Sequence, residues 1–286
     1  MPPADSQKQL RTVRTRTGAV LPVLGQGTWR MGESPARRKD EVAALRLGLE
    51  LGMSLIDTAE MYANGGAERV VAEAIADCRE RVFIVSKVLP QNASKQGAIA
   101  ACERSLKRLG TEYIDLYLLH WPGEHPLAQT LEAFEQLKQS GKIRHYGVSN
   151  LDIEDMRAAE ALELGKNIAA NQVIYNLQRR GIERNVLPHC AERQIALMAY
   201  SPLDQTRLAI KEALTRVAAR HETKAEVIAL AWTLRHPNVV AIPKSSNPRH
   251  VQENAKAARL KFTAQDYAEL EAAYPPPKRT VPLETA

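Results

Sequence analysis

The chain has 286 residues, 44% of them hydrophobic and 25% charged, a globular composition with length for one large core, which excludes a disordered chain and a small disulfide scaffold. Lys plus Arg is 39 against 33 Asp plus Glu, and the resulting charge of +6 suits a polyanionic ligand but lacks the clustered basic run of a nucleic-acid binder. Three cysteines, Cys78, Cys102 and Cys190, match neither a disulfide framework nor metal-ligand spacing, and no apolar run approaches the roughly 18 residues of a membrane span, so a cytoplasmic protein without metal or membrane is expected.

In chain order, Val13 to Val23 carries a Thr-Gly-Ala turn and reads as a hairpin. Leu24 to Thr28 then opens a series of short apolar strands: Met53 to Asp57, Val82 to Lys87, Ile114 to His120, Ile143 to Ser149, Ile168 to Val173, Ile195 to Tyr200 and Val239 to Pro243. Segments of helical period lie between them. Asp40 to Leu51 sets Val42, Leu45 and Leu49 at spacings of three and four, and Ser94 to Leu109 does the same with Ile99, Cys102, Leu106 and Leu109 before Gly110 at C′. Only Trp121 to His125 precede the helix beginning near Pro126, where Leu131, Phe134 and Leu137 continue the pattern up to Gly141. Asp152 with Asp155 resembles an acidic first turn, and Thr223 with Glu226 has capping-box spacing. After Leu203 the chain is expected to be helical again by Leu208.

Near-continuous apolar strands that alternate with helices imply a parallel sheet covered by its crossovers. Eight such units average about 36 residues each, which suits a (β/α)8 TIM barrel with an N-terminal β-hairpin, residues 1–286 forming one domain. A doubly wound open sheet is the competing fold. Its Gly-x-Gly-x-x-Gly turn fails here at the last position of Gly25-Gln26-Gly27-Thr28-Trp29-Arg30, and no Walker-type loop occurs.

A barrel builds its site where its strands end, and three consecutive strands end on chemistry: Asp57, Lys87 and His120, with Tyr62 five residues beyond Asp57. The separations of 30 and 33 residues are each one βα unit, so these side chains should converge. Asp57 would hold the Lys87 ammonium, Lys87 would favour phenolate and lower the Tyr62 pKa from near 10, and His120 would direct a substrate oxygen. Taken singly, each residue is as readily a turn, surface or hydrogen-bonded residue.

With these residues in view, the chain resembles the aldo-keto reductases over about residues 12 to 275. The resemblance is carried by Gly25-Gln26-Gly27-Thr28-Trp29, Ile56-Asp57-Thr58-Ala59-Glu60-Met61-Tyr62, Leu118-Leu119-His120-Trp121-Pro122, Gly147-Val148-Ser149-Asn150, Asn171-Gln172-Val173, Tyr200-Ser201-Pro202-Leu203 and Ile242-Pro243-Lys244-Ser245. Gly25 to Gly32 and Glu41 to Ile75 are similar to the bacterial branch that includes methylglyoxal reductases. The resemblance implies an NADPH-dependent carbonyl reductase with Asp57, Tyr62, Lys87 and His120 as its catalytic tetrad, Tyr62 giving the proton as hydride reaches a small aldehyde or 2-oxoaldehyde.

It further implies that Ser149, Asn150 and Gln172 bond the nicotinamide carboxamide, that Tyr200 stacks on the ring, and that Gly27, Thr28, Ser201 and Leu203 border the cofactor. Lys244 and Ser245 match contacts to the adenosine 2′-phosphate, and Glu253 and Asn254 match adenine contacts. The family commonly places Arg six residues after that Lys, where this chain has His250, preceded by Arg249. A guanidinium grips phosphate in two bonds and keeps its charge, whereas imidazole is largely neutral at pH 7. NADPH is therefore the expected cofactor and NADH the alternative. Trp29, Met61 and Trp121 match the substrate walls. The short loops and the short Pro-rich tail after Tyr274 predict an open pocket with fast cofactor release, and the resemblance implies a monomer. The rival function is a non-catalytic nucleotide-sensing regulatory subunit of the same fold, which the intact tetrad disfavours.

Overall fold

Eight short strands hydrogen-bond side by side, all parallel and in chain order. In the computed structural model, which describes residues 10–285, a hairpin of β1 (Thr12–Arg14) and β2 (Val20–Pro22) comes first. The parallel strands are β3 (Gly25–Gly27), β4 (Leu55–Asp57), β5 (Phe83–Val88), β6 (Ile114–Leu119), β7 (Ile143–Ser149), β8 (Ile168–Ile174), β9 (Ala196–Tyr200) and β10 (Val239–Ala241). The ring joins its first and last strands where Ala241 N donates to Val23 O (2.8 Å) and Gly27 N to Pro243 O (3.1 Å). The chain is thus a (β/α)8 barrel with an N-terminal hairpin.

Every residue of β6 and β8 is buried, as strands packed on both faces require. Inside the ring Leu55, Val85, Leu116, Leu118 and Met198 cluster with the hairpin's Val13 and Leu21 and with Val23. The hairpin lies at the end where strands begin. Its Arg16 N donates to Gln194 O (2.9 Å), and the Arg11 guanidinium donates to Leu234 O (2.7 Å), both just ahead of strands. It seals one end of the ring and leaves the other, where strands end, free for a site.

The ring is wrapped by α1 (Arg38–Glu50), α2 (Gly66–Ile75), α3 (Lys95–Leu109), α4 (Leu127–Gln139), α5 (Ile153–Ala161), α6 (Val186–Glu192), α8 (Ala225–Thr233) and α9 (Pro248–Ala257). Two added helices, α7 (Glu212–Arg220) and α10 (Ala264–Ala273), are tied together by Arg220 and His221 on Asp266, at 2.7 and 2.9 Å. In α3, Ser94 caps through Gly97 N and Gly110 ends the helix at φ 61°, so both termini follow their end residues. No helix among the described residues is long and apolar enough to cross a membrane.

Two expectations fail for local reasons. The capping box of Thr223 and Glu226 does not form: Lys224 is the N-cap of α8, without a side-chain bond, so the motif is one residue out of register with the helix. Asp152 with Asp155 does form a box, and so does Thr263 with Asp266 ahead of α10. Nor is Leu208 helical. Ser201, Asp204, Gln205 and Thr206 have φ of 48°, 49°, 52° and 70°, a left-handed run that cannot seed a right-handed helix, and α7 begins only at Glu212.

Candidate active site

Asp57 is the last residue of β4, Lys87 the fifth of β5, and His120 follows β6 directly. Tyr62 opens a tight turn whose Ala63, Asn64 and Gly65 have φ of 49°, 51° and 79°, which throws its ring back over the strand ends. Lys87 Nζ donates to Asp57 Oδ2 (2.8 Å), Thr58 O (2.8 Å) and the Tyr62 hydroxyl (3.3 Å). The Tyr62 and His120 ring centres are 5.8 Å apart. All four groups are buried and meet at one spot; Asp57, Tyr62 and His120 line the cavity above it.

Burial sets the protonation states. Desolvation raises the Tyr62 pKa, and the Lys87 charge only partly offsets it, so the sequence expectation of a phenol pulled toward neutrality is reversed. Lys87 would be discharged by burial, but Asp57 and Tyr62 outweigh that penalty and raise its pKa. Burial, with Lys87 adding to it, takes His120 down to about 2. The site therefore holds a neutral phenol, a charged ammonium and a neutral imidazole whose Nδ1 is buried without a partner.

Contacts that sequence reasoning missed hold the Tyr62 turn. Glu60 Oε1 accepts from Leu89 N (2.8 Å) and Asn92 Nδ2 (2.9 Å), and Glu68 accepts from Ser86 Oγ (2.8 Å) while pairing with Arg108. Gly32 at φ 78° lies so close to Gly66 that a Cβ would stand 2.4 Å from its carbonyl carbon. A Glu three residues after Asp57 and a Glu in the first turn of α2 are the sequence signals that could have marked them.

A cavity of about 1260 Å³ runs from this cluster across the strand ends. Trp29, Met61 and Trp121 line it, with Trp29 edge-on to Tyr62 (5.0 Å) and Trp121 beside His120 (4.7 Å). Ser149, Asn150, Gln172 and Tyr200 line it too, already joined to one another and to Asp57. The Tyr200 hydroxyl donates to Asn150 Oδ1 (3.0 Å), Ser149 Oγ donates to Gln172 O (2.8 Å), and Gln172 Nε2 donates to Asp57 Oδ1 (2.7 Å). Gly27, Ser201 and Leu203 also face the cavity.

Lys244, Ser245, His250, Glu253 and Asn254 also line the cavity, Lys244 beside Gly27. Two expected residues do not line the space. Thr28 is buried with its hydroxyl on Asp57 O (2.9 Å), and Arg249 sits exposed on the first turn of α9. Arg30, Gln205, Arg207, Lys224, Glu226 and Thr285 line the cavity unforeseen. Lys224 pairs with Glu253 at 2.6 Å. The tail after Tyr274 reaches the cavity through Thr285.

The Aldo/keto reductase family model matches residues 23–275. Methylglyoxal reductase YeaE of Escherichia coli is 51% identical over 281 residues, covering 96% of this chain and 99% of that protein. Glyoxal reductase of Bacillus subtilis is 31% identical over 263 residues, 91% of this chain and 92% of the other. Among solved structures, an aldo-keto reductase from Klebsiella pneumoniae in complex with NADPH superposes with a TM-score of 0.94 at 47% identity, covering 97% of this chain and 99% of that one.

Proposed function

We infer the activity from one premise: the chain belongs to the aldo/keto reductase family. It is an NAD(P)H-dependent oxidoreductase. Within that class we propose that it uses NADPH to reduce small aldehydes and 2-oxoaldehydes such as methylglyoxal to alcohols, with Tyr62 as the proton donor. The observation that carries this reading is Lys87 Nζ, fully buried yet shared between Asp57 and the Tyr62 hydroxyl at 2.8 and 3.3 Å beneath a large cavity.

The cavity's residues fit the cofactor. The lining offers Lys244 and Ser245 to a phosphate, the amide and hydroxyl groups of Ser149, Asn150 and Gln172 to a carboxamide, and the aromatic face of Tyr200 to a flat heterocycle. Bound there, the dinucleotide supplies the hydride. Tyr62, neutral because it is buried, gives its proton to the substrate oxygen as negative charge develops there. Lys87 steadies the phenolate left behind, and Asp57 keeps Lys87 charged and aimed. Neutral His120 orients the carbonyl by hydrogen bonding rather than by charge. Trp29, Met61 and Trp121 exclude water around the reacting carbon.

The two named relatives reduce methylglyoxal and glyoxal by name, which favours short 2-oxoaldehydes as substrates here. The test is NADPH oxidation with methylglyoxal, glyoxal and a panel of larger aldehydes, repeated with NADH and with Tyr62→Phe. Many turnovers per enzyme are expected, with NADPH binding retained and turnover reduced by about a hundredfold or more in Tyr62→Phe. Oxidation limited to one equivalent of NADPH would instead indicate a nucleotide sensor.

A further inference from the structure

The segment 201–211, which walls the cavity after β9, is held from behind by the turn that follows β8. Asn176 Nδ2 donates to Ser201 O (2.9 Å) at the upstream end, and Gln178 Oε1 accepts from Ala209 N at the downstream end. Tyr274, where the tail begins, adds its hydroxyl between Ala209 O (2.6 Å) and Lys211 N (2.9 Å).

Between these pins Asp204, Gln205 and Thr206 are consecutive, non-glycine and left-handed, a conformation that L-residues keep only where neighbours impose it. Gln205 and Thr206 line the cavity. Asp204 does not: its buried carboxylate points to the turn, where Oδ1 accepts from Arg179 Nε (3.4 Å) and Oδ2 from Gln178 Nε2 (3.5 Å). Arg179 Nη1 also meets Glu284 Oε1 at 2.6 Å, and the next residue, Thr285, is the one that lines the cavity. One guanidinium therefore joins the strained wall to the end of the tail.

We propose that Arg179 is a positioning residue for the dinucleotide: by bridging Asp204 and Glu284 it keeps the 201–211 wall closed on the bound cofactor and slows its release. This rests on the reading of the cavity as the NADPH site. Arg179 does not line the cavity, so its effect runs through Asp204 and appears in dissociation, not in hydride transfer.

The test follows NADPH dissociation by stopped-flow fluorescence, with excess NADP as the chase, in the whole chain and in Arg179→Met, Glu284→Ala and the double variant. Each single change is expected to raise the dissociation rate about threefold, and the double by no more than Arg179→Met alone. Arg179→Lys should recover part of the loss, and single-turnover hydride transfer should stay unchanged throughout. Glu284→Ala lies on the tail and keeps the test available if Arg179→Met does not fold. Parental dissociation in Glu284→Ala, or single effects that multiply in the double variant, would overturn the proposal. A parent chain with no NADPH fluorescence change at all would overturn the cofactor reading as well, and is told apart by that absence.

Discussion

Tyr62 stays protonated because the cost of burying a phenolate exceeds what the Lys87 ammonium returns, and His120 stays neutral because both burial and Lys87 oppose its charge. On the proposed mechanism, Tyr62 is thus in its proton-donating form at neutral pH. A raised Tyr62 pKa moves the alkaline loss of activity above about pH 10, and a His120 value of about 2 leaves no acid limb near the ordinary histidine range. The single-turnover hydride-transfer rate should be flat between about pH 6 and 9; an acid limb near pH 6.5 that His120→Gln abolishes would refute this. Lys244, which lies just after β10, is the cavity-lining cation we assign to a phosphate, with Arg249 turned out of the lining. Lys244→Met should weaken NADPH binding about tenfold and leave NADH nearly untouched, as read by fluorescence titration of each nucleotide; equal losses would remove Lys244 from the phosphate. The meeting of Asp57, Lys87 and His120 was legible because three strand ends one βα unit apart must converge. The Tyr62 protonation state was not, because it depends on how deeply the ring is covered, and spacing carries no such information.

Strands were legible to within two or three residues because a strand buried on both faces needs an unbroken apolar run, as in Ile114–Leu119 and Ile168–Ile174. The wall after β9 was not, because its left-handed residues are Ser201, Asp204, Gln205 and Thr206, with no glycine to announce them, and tertiary contacts impose the conformation. Where glycine does appear, its absence of a side chain is used for close approach. Gly32→Ala would place a methyl group against the Gly66 backbone at a positive φ, so it should cost about 2 kcal/mol and lower kcat by shifting the start of α2 behind the Tyr62 turn. Denaturant titration with steady-state kinetics checks both; a variant of parental stability would show that the two backbones can part freely. At α5, Asp152 accepts from Glu154 N and Asp155 N at 3.0 Å each, and Asp152→Ala should cost about 1 kcal/mol by the same measurement, with no change in kcat.

Over the whole molecule, two sets of groups make stability fall with acid, in separate windows. Burial lowers His120, His145 and His236, the last to about 4, so the unfolded chain takes up protons that the folded chain refuses. Their stabilising effect is complete above about pH 6.5 and is lost as pH falls below it, by up to about 1.4 kcal/mol per pH unit for each histidine. Burial would raise Asp266, but Thr263, His221 and Arg220 hold it well below the ordinary carboxylate range, so its stabilising effect is present above about pH 4 and lost beneath it. Denaturant midpoints should therefore begin to fall near pH 6.5, and His236→Gln should flatten the first part of that fall; a parental slope in this variant would exclude His236. The barrel and its hairpin were readable from the alternation of elements, but which end the hairpin would seal was not, since that depends on partners such as Gln194 and Leu234 far along the chain. The seam at Val23 with Ala241 and Gly27 with Pro243 governs how the protein can be made. Until β10 has left the ribosome the sheet cannot close, and its two edge strands are left to pair with other molecules. A premature stop before β10 would yield insoluble material, not a smaller working enzyme.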